Sequence, residues 1–103
     1  MNYKVVVSEN AHNDLDNIFA YIALELKNIS AAQRLFEEVQ KAYKSVGKNP
    51  KMYAACLDNR LNTAGYRKIL VKNYIIIYRI IESEKTVFIA RVFYGRQDYE
   101  KYI

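Results

Sequence analysis

Two hydrophobic periods alternate along the chain, and the switches between them mark out its elements. Tyr3–Val7 (YKVVV) is short and β-branched, which predicts a strand. Ser8 follows, with a hydroxyl suited to capping a helix. From there Ala11, Leu15, Ile18, Phe19, Ile22 and Leu26 recur at helical spacing, while Asp14, Asp16 and Glu25 lie off the stripe. That pattern predicts an amphipathic helix. Lys27-Asn28 suits its C-terminal end, as a cation near the negative dipole end and a residue that tolerates a left-handed backbone. Ser30 with Gln33 then reads as a capping box. Ala32, Leu35, Phe36, Val39, Tyr43 and Val46 continue the helical period, and Gly47 is read as the stop. Two helices with so short a connector must fold back as a hairpin.

Lys48 to Ala64 contains Pro50 and shows no clear period; loops of this length in small domains are usually functional or mobile. The period of two then returns. Tyr66–Val71 (YRKILV) predicts a strand, Lys72-Asn73 a tight turn, Tyr74–Ile81 (YIIIYRII) a second strand, Glu82–Lys85 a polar turn and Thr86–Tyr94 (TVFIARVFY) a third. YIIIYRII is apolar on both faces, so it reads as a central strand covered on both sides. The order β-α-α-β-β-β predicts an α+β domain. Its expected form is a helical hairpin packed on a four-stranded antiparallel sheet. Arg79 and Arg91 interrupt the two most apolar strands. A charge there is costly unless paired or wet, so both are placed on the open face of the sheet or at its rim.

Composition narrows the class. At 103 residues and 51% hydrophobic, the chain makes one domain, 1–103, with a modest core. One proline, three glycines and no repeat argue against disorder. No leader or membrane-spanning run shows, and no membrane partner is expected. The single Cys56 excludes an internal disulfide and fits a reducing cytoplasm. One histidine and one cysteine cannot build a zinc site, and no metal or cofactor is expected. His12, off the apolar stripe, reads as a surface residue. Cys56 has no histidine near it in sequence, so thiol catalysis is not expected.

Charge changes the picture more. Residues 1–40 carry a net −3, residues 41–79 a net +8 and residues 80–103 none, within a total of +5. The concentrated positive middle favours a polyanion or an acidic partner protein over a neutral one. The last strand runs straight into Tyr94-Gly95-Arg96, then Gln97-Asp98-Tyr99. A phenol and a guanidinium at a strand end are candidates for chemistry or contact. Of the ten tyrosines, Tyr21, Tyr43, Tyr74 and Tyr78 read as core, whereas Tyr94, Tyr99 and Tyr102 escape that explanation.

Three stretches carry a resemblance: GYRK before a strand, the NYIIIYR strand, and the RVFYGRQD ending. With the element order, they are similar to the RelE/ParE superfamily, the toxins of bacterial type II toxin–antitoxin modules, over nearly the whole chain. The resemblance implies a cognate antitoxin and a hetero-oligomer with it. It also implies one of two targets. RelE-like members cut messenger RNA on the ribosome without a metal, which needs a base, an acid and cations for the phosphorane. The matching candidates here are Lys68, Arg79, Arg91, Tyr94 and Arg96. However, Ile75 stands where the ribonucleases carry an arginine, and a tyrosine at 94 is a poor base at neutral pH. ParE-like members poison DNA gyrase. On that reading Arg60, Arg67, Lys72 and Tyr99 are contact residues. Arg67 and Lys68 are adjacent in a strand, so only one can serve any one face. The pattern leans towards the ParE-like reading. The ribonuclease is the alternative, and an inactive binding domain derived from a toxin is a third.

Overall fold

The structure, a computed structural model, describes residues 2–56 and 59–95. Its elements are β1 (Lys4–Val7), α1 (Glu9–Ala20), α2 (Ile29–Lys48), α3 (Asn59–Thr63), β2 (Tyr66–Val71), β3 (Tyr74–Ile81) and β4 (Thr86–Tyr94). The three strands of the meander fall where the period of two places them. The four strands form one sheet in the order β1-β4-β3-β2.

The sheet is mixed, which corrects the fully antiparallel expectation. β2, β3 and β4 pair antiparallel, but β1 pairs parallel with β4, with Val5 beside Val87 and Val7 beside Ile89. The cause lies in the crossover. The end of α2 returns to the start of β1, where the Tyr3 amide donates to the Gly47 carbonyl at 2.7 Å. The next strand therefore leaves from the end at which β1 began. A connection of that kind produces strands of one direction, and the meander then gives β4 the direction of β2.

The helix boundaries also differ in detail from the expectation. Lys27, not Asn28, takes the left-handed conformation (φ 52). Asn28 caps α2, its side chain accepting from the Ala31 amide at 3.0 Å, so Ser30 lies inside the helix and the Ser30–Gln33 box is not the cap. Gly47 does not end α2 either; the helix runs on to Lys48. Its glycine is needed for close approach, because a Cβ there would meet the Tyr3 carbonyl at 3.3 Å and the Val5 side chain at 3.1 Å. Between the helices Tyr21–Glu25 forms a π-helical turn. It leaves Tyr21, Leu24 and Leu26 more than half exposed, which overturns the reading of Tyr21 as core.

One sheet face carries Ile69, Val71, Ile76, Tyr78, Val87, Ile89 and Val92 into the main core against α1 and α2. The other face is less open than expected. Within the 48–64 segment, the described residues include α3 and a one-residue bridge, Ala55 to Arg67. They cover a second cluster of Cys56, Leu61, Ile75, Ile77 and Phe93. Tyr78 anchors that segment from the sheet: its buried hydroxyl donates to the Pro50 carbonyl at 2.6 Å.

Candidate functional site

The residues singled out by the sequence sort onto two faces of the sheet, and the sorting depends on one bulge. Ile77 lies opposite Arg91 and Tyr78 opposite Ile89, so Ala90 is an extra residue in β4. The bulge resets the side-chain alternation. Without it Arg91 would point at the helices; with it Arg91 joins the face of Ile77 and Phe93, and Val92 turns to the main core. Ser8 holds the bulge. Its hydroxyl donates to the Ala90 carbonyl at 2.8 Å and accepts from the Ala11 amide at 3.0 Å, capping α1 with the same atom.

β1 stops beside Ile89, so the edge of β4 beyond that point would be bare. Asp14 of α1 covers it. Its Oδ2 accepts the Val92 amide at 2.9 Å and Arg91 Nε at 2.8 Å, and its Oδ1 accepts Arg91 Nη2 at 3.0 Å. The guanidinium lies over the Phe93 ring, 4.7 Å from its centroid. The Asp14 hydrogen bonds raise the Arg91 pKa. Sequence reasoning missed Asp14, because an acid off the apolar stripe looks like an ordinary surface residue.

Cross-strand neighbours share a face. Lys68 is opposite Ile77, and Ile77 opposite Arg91, so the two cations flank one isoleucine in a row across the sheet. The adjoining row is Leu70, Ile75 and Phe93; the other is Tyr66, Arg79 and Phe88. Arg79 is exposed and sits 5.8 Å from the Tyr66 ring centroid. Arg60 rides on α3, which covers this face. Arg67 points the other way, its Nη1 donating to the Tyr53 carbonyl at 2.6 Å. Of the adjacent pair, Lys68 alone is on the second face.

Tyr94 also turns away from that row. It is paired with Tyr74 on the helix side, ring centroids 5.7 Å apart, beside a cleft of about 620 Å³ that Tyr21 and Leu26 also line. Tyr94 is therefore on the opposite face from Lys68, Arg79 and Arg91. Lys72, left-handed at φ 54, stands exposed in the β2–β3 turn near that end. Arg96 and Tyr99 lie outside the described residues. Gly95 begins the ending with its amide donating to the Asn73 carbonyl at 2.6 Å; a Cβ there would sit 2.9 Å from that oxygen. Among the described residues no group of three potential ligands could hold a metal.

Burial pushes the phenols of Tyr43 and Tyr78 up to about 12. Because the folded values are raised, their contribution to stability is complete below the unfolded value of about 10 and is lost as pH rises from there towards 12. Urea unfolding at a series of alkaline pH values is expected to show this decline. Tyr43→Phe is expected to remove part of it, and an unchanged slope in that variant would count against the burial of the phenol.

Together these features define a small α+β domain with a cationic and apolar sheet face. Over residues 5–99 the sequence matches the family described as ParE toxin of type II toxin-antitoxin system, parDE. The chain belongs to that toxin family. No curated protein matches it. Among solved structures it is similar to a chain of the RelBE2 toxin–antitoxin complex from Mycobacterium tuberculosis, with 24% identity over 91% of this chain and 99% of that one (TM-score 0.62). A chain of the chromosomal ParDE toxin–antitoxin system from P. aeruginosa is 17% identical over 89% and 95%, with a TM-score of 0.68. A free mutant form of the E. coli toxin RelE is 19% identical over 99% and 92%, with a TM-score of 0.67. At these identities the likeness is one of fold, and it spans both named branches.

Proposed function

We propose that this toxin is neutralised by a cognate antitoxin and, when released in the cytoplasm, halts growth by binding a DNA-handling enzyme of the gyrase type rather than by cutting RNA. The observation that carries the reading is the state of Arg91. Its charge is already matched by Asp14 in a two-pronged contact. An arginine committed in this way has little left to offer a developing phosphorane, whose stabilisation needs cations aimed at the new charge. The row between Lys68 and Arg91 is filled by Ile77, and the next by Ile75 and Phe93, which supply neither acid nor base. Tyr94 is across the sheet. With that apolar cluster buried, the face offers solvent Leu70, Lys68, Arg79 and Arg60, with Lys72 at the turn, a set that suits contact better than proton transfer.

The ribonuclease reading keeps one point in its favour, since Lys68 and Arg79 share a face. Pulse-labelling after induction without antitoxin separates the two. DNA synthesis is expected to fall before protein synthesis, and Tyr94→Phe is expected to inhibit growth as the unaltered chain does. Protein synthesis falling first, with transcript cleavage lost in Tyr94→Phe, would overturn the proposal in favour of the ribonuclease. Vigorous growth with abundant folded protein would instead mean an inactive descendant of a toxin.

A further inference from the structure

α2 and β2 meet along a seam that carries cations, where the rest of the contact between helices and sheet is apolar. The seam encloses about 250 Å³, lined by Lys41 and Ser45 of α2, Leu70 of β2 and Lys72 of the turn. Both lysines are exposed, and Ser45 is half-buried. Positions three and four apart share a helix face, so the exposed Lys48 continues the row beyond Ser45. At 1.5 Å of rise per residue, Lys41 and Lys48 are about 10 Å apart along the axis. Glu38 is the one acid lining the seam. It holds Lys41 at 3.5 Å in an exposed pair, the kind of contact that is worth little and easily exchanged.

The sheet adds a donor to these cations. Residues 54–56 cover the outer edge of β2: the Lys68 amide donates to the Ala54 carbonyl and the Cys56 amide to the Tyr66 carbonyl, each at 3.1 Å. Strand alternation turns the Leu70 N–H towards the same edge. There the covering segment has already left, since the Met52 amide donates to the Asn49 carbonyl instead. The Leu70 amide is thus left open beside the seam. The turn at Lys72 follows too soon for another strand to be added. A single acceptor oxygen fits the space instead. Lysine, a serine hydroxyl and a backbone amide are the groups that hold phosphates.

We infer that this seam binds the phosphate backbone of duplex DNA. One phosphate sits between Lys41 and Lys72 and accepts from the Leu70 amide and the Ser45 hydroxyl. Lys48 takes another on the same strand, which carries one charge per about 3.4 Å of duplex axis. The net +8 of residues 41–79 belongs to the segments that build the seam. Among the described residues nothing in the seam reads bases, so binding is independent of sequence. The choice of DNA rests on the reading of a DNA-handling target: the toxin touches the DNA that its target holds.

Fluorescence anisotropy of a short labelled duplex, titrated with the purified chain, tests it. Two unrelated sequences are expected to bind equally, in the micromolar range at low salt, and to lose affinity steeply as salt rises. Lys41→Gln with Lys72→Gln is expected to weaken binding at least about tenfold and to flatten the log–log salt slope by about two. Lys4→Gln with Lys27→Gln removes as much charge from the far sheet edge and the helical hairpin, and is expected to change affinity less than about threefold. Glu38→Gln, which releases Lys41, is expected to tighten binding about twofold. Equal losses in the two double variants, an unchanged salt slope in the first, or no binding at low salt overturns the inference and leaves the target reading standing. Tighter binding of a duplex RNA of the same length also overturns it. Protein synthesis falling first on induction, with DNA binding as described, overturns the target reading alone.

Discussion

Asp14→Ala is expected to cost about 3 kcal/mol of unfolding free energy, the range for breaking a largely buried pair and orphaning an amide. The side chains concerned keep only 15% (Asp14) and 25% (Arg91) of their exposure, so water cannot readily replace what is lost. Two groups lose a partner at once: the Arg91 guanidinium and the Val92 amide. Asp14→Asn keeps an acceptor for the amide but gives up the charge, and is expected to lose roughly half as much. Urea unfolding of both variants checks this. A loss for Asp14→Ala below about 0.5 kcal/mol would make the contact an ordinary surface ion pair. The same variants bear on function. If Asp14 chiefly holds the β4 edge and neutralises Arg91, its removal should destabilise the protein without conferring transcript cleavage.

Removing Tyr78 in two stages is expected to have an effect at least as large. Tyr78→Ala empties a fully buried site between the sheet and the returning segment, and should cost about 3–5 kcal/mol. Tyr78→Phe preserves the ring and its edge-on contact with Tyr53, yet leaves the Pro50 carbonyl without its donor. That change should cost about 1–3 kcal/mol. The distinguishing readout is local. In Tyr78→Phe, backbone amides of residues 49–56 should exchange faster, while those of α1 should not. Uniform loosening of the whole chain would mean that the hydroxyl is not what pins this segment.

The features that sequence made legible are those decided within one element. The strands 66–71, 74–81 and 86–94 could be bounded to the residue because β-branched runs end at short polar turns. The two helices could be read from their apolar stripes. The separation of Arg67 from Lys68 follows from strand alternation alone. The errors have physical causes of the same kind as one another. Ser30 and Asn28 are both good caps, and choosing between them required the turn in which Lys27 takes the left-handed conformation. Leu26 has core spacing in an α-helix, but the π-helical turn shifts the angular positions of the residues that follow it. Asp14 and Arg91 are 77 residues apart, and no local pattern joins them.

By itself, the sequence determined an α+β domain, its element order, its positive middle and its toxin family, because hydrophobic period, turn chemistry and motif are all written over short spans of chain. The tertiary structure alone decided that β1 runs parallel to β4, that the Ala90 bulge turns Arg91 towards Lys68 and away from the helices, and that Asp14 neutralises it. Each of these depends on where distant segments meet. The crossover sets strand direction, a single extra residue reverses every side chain beyond it, and the partner of a charge is fixed by packing rather than by sequence distance.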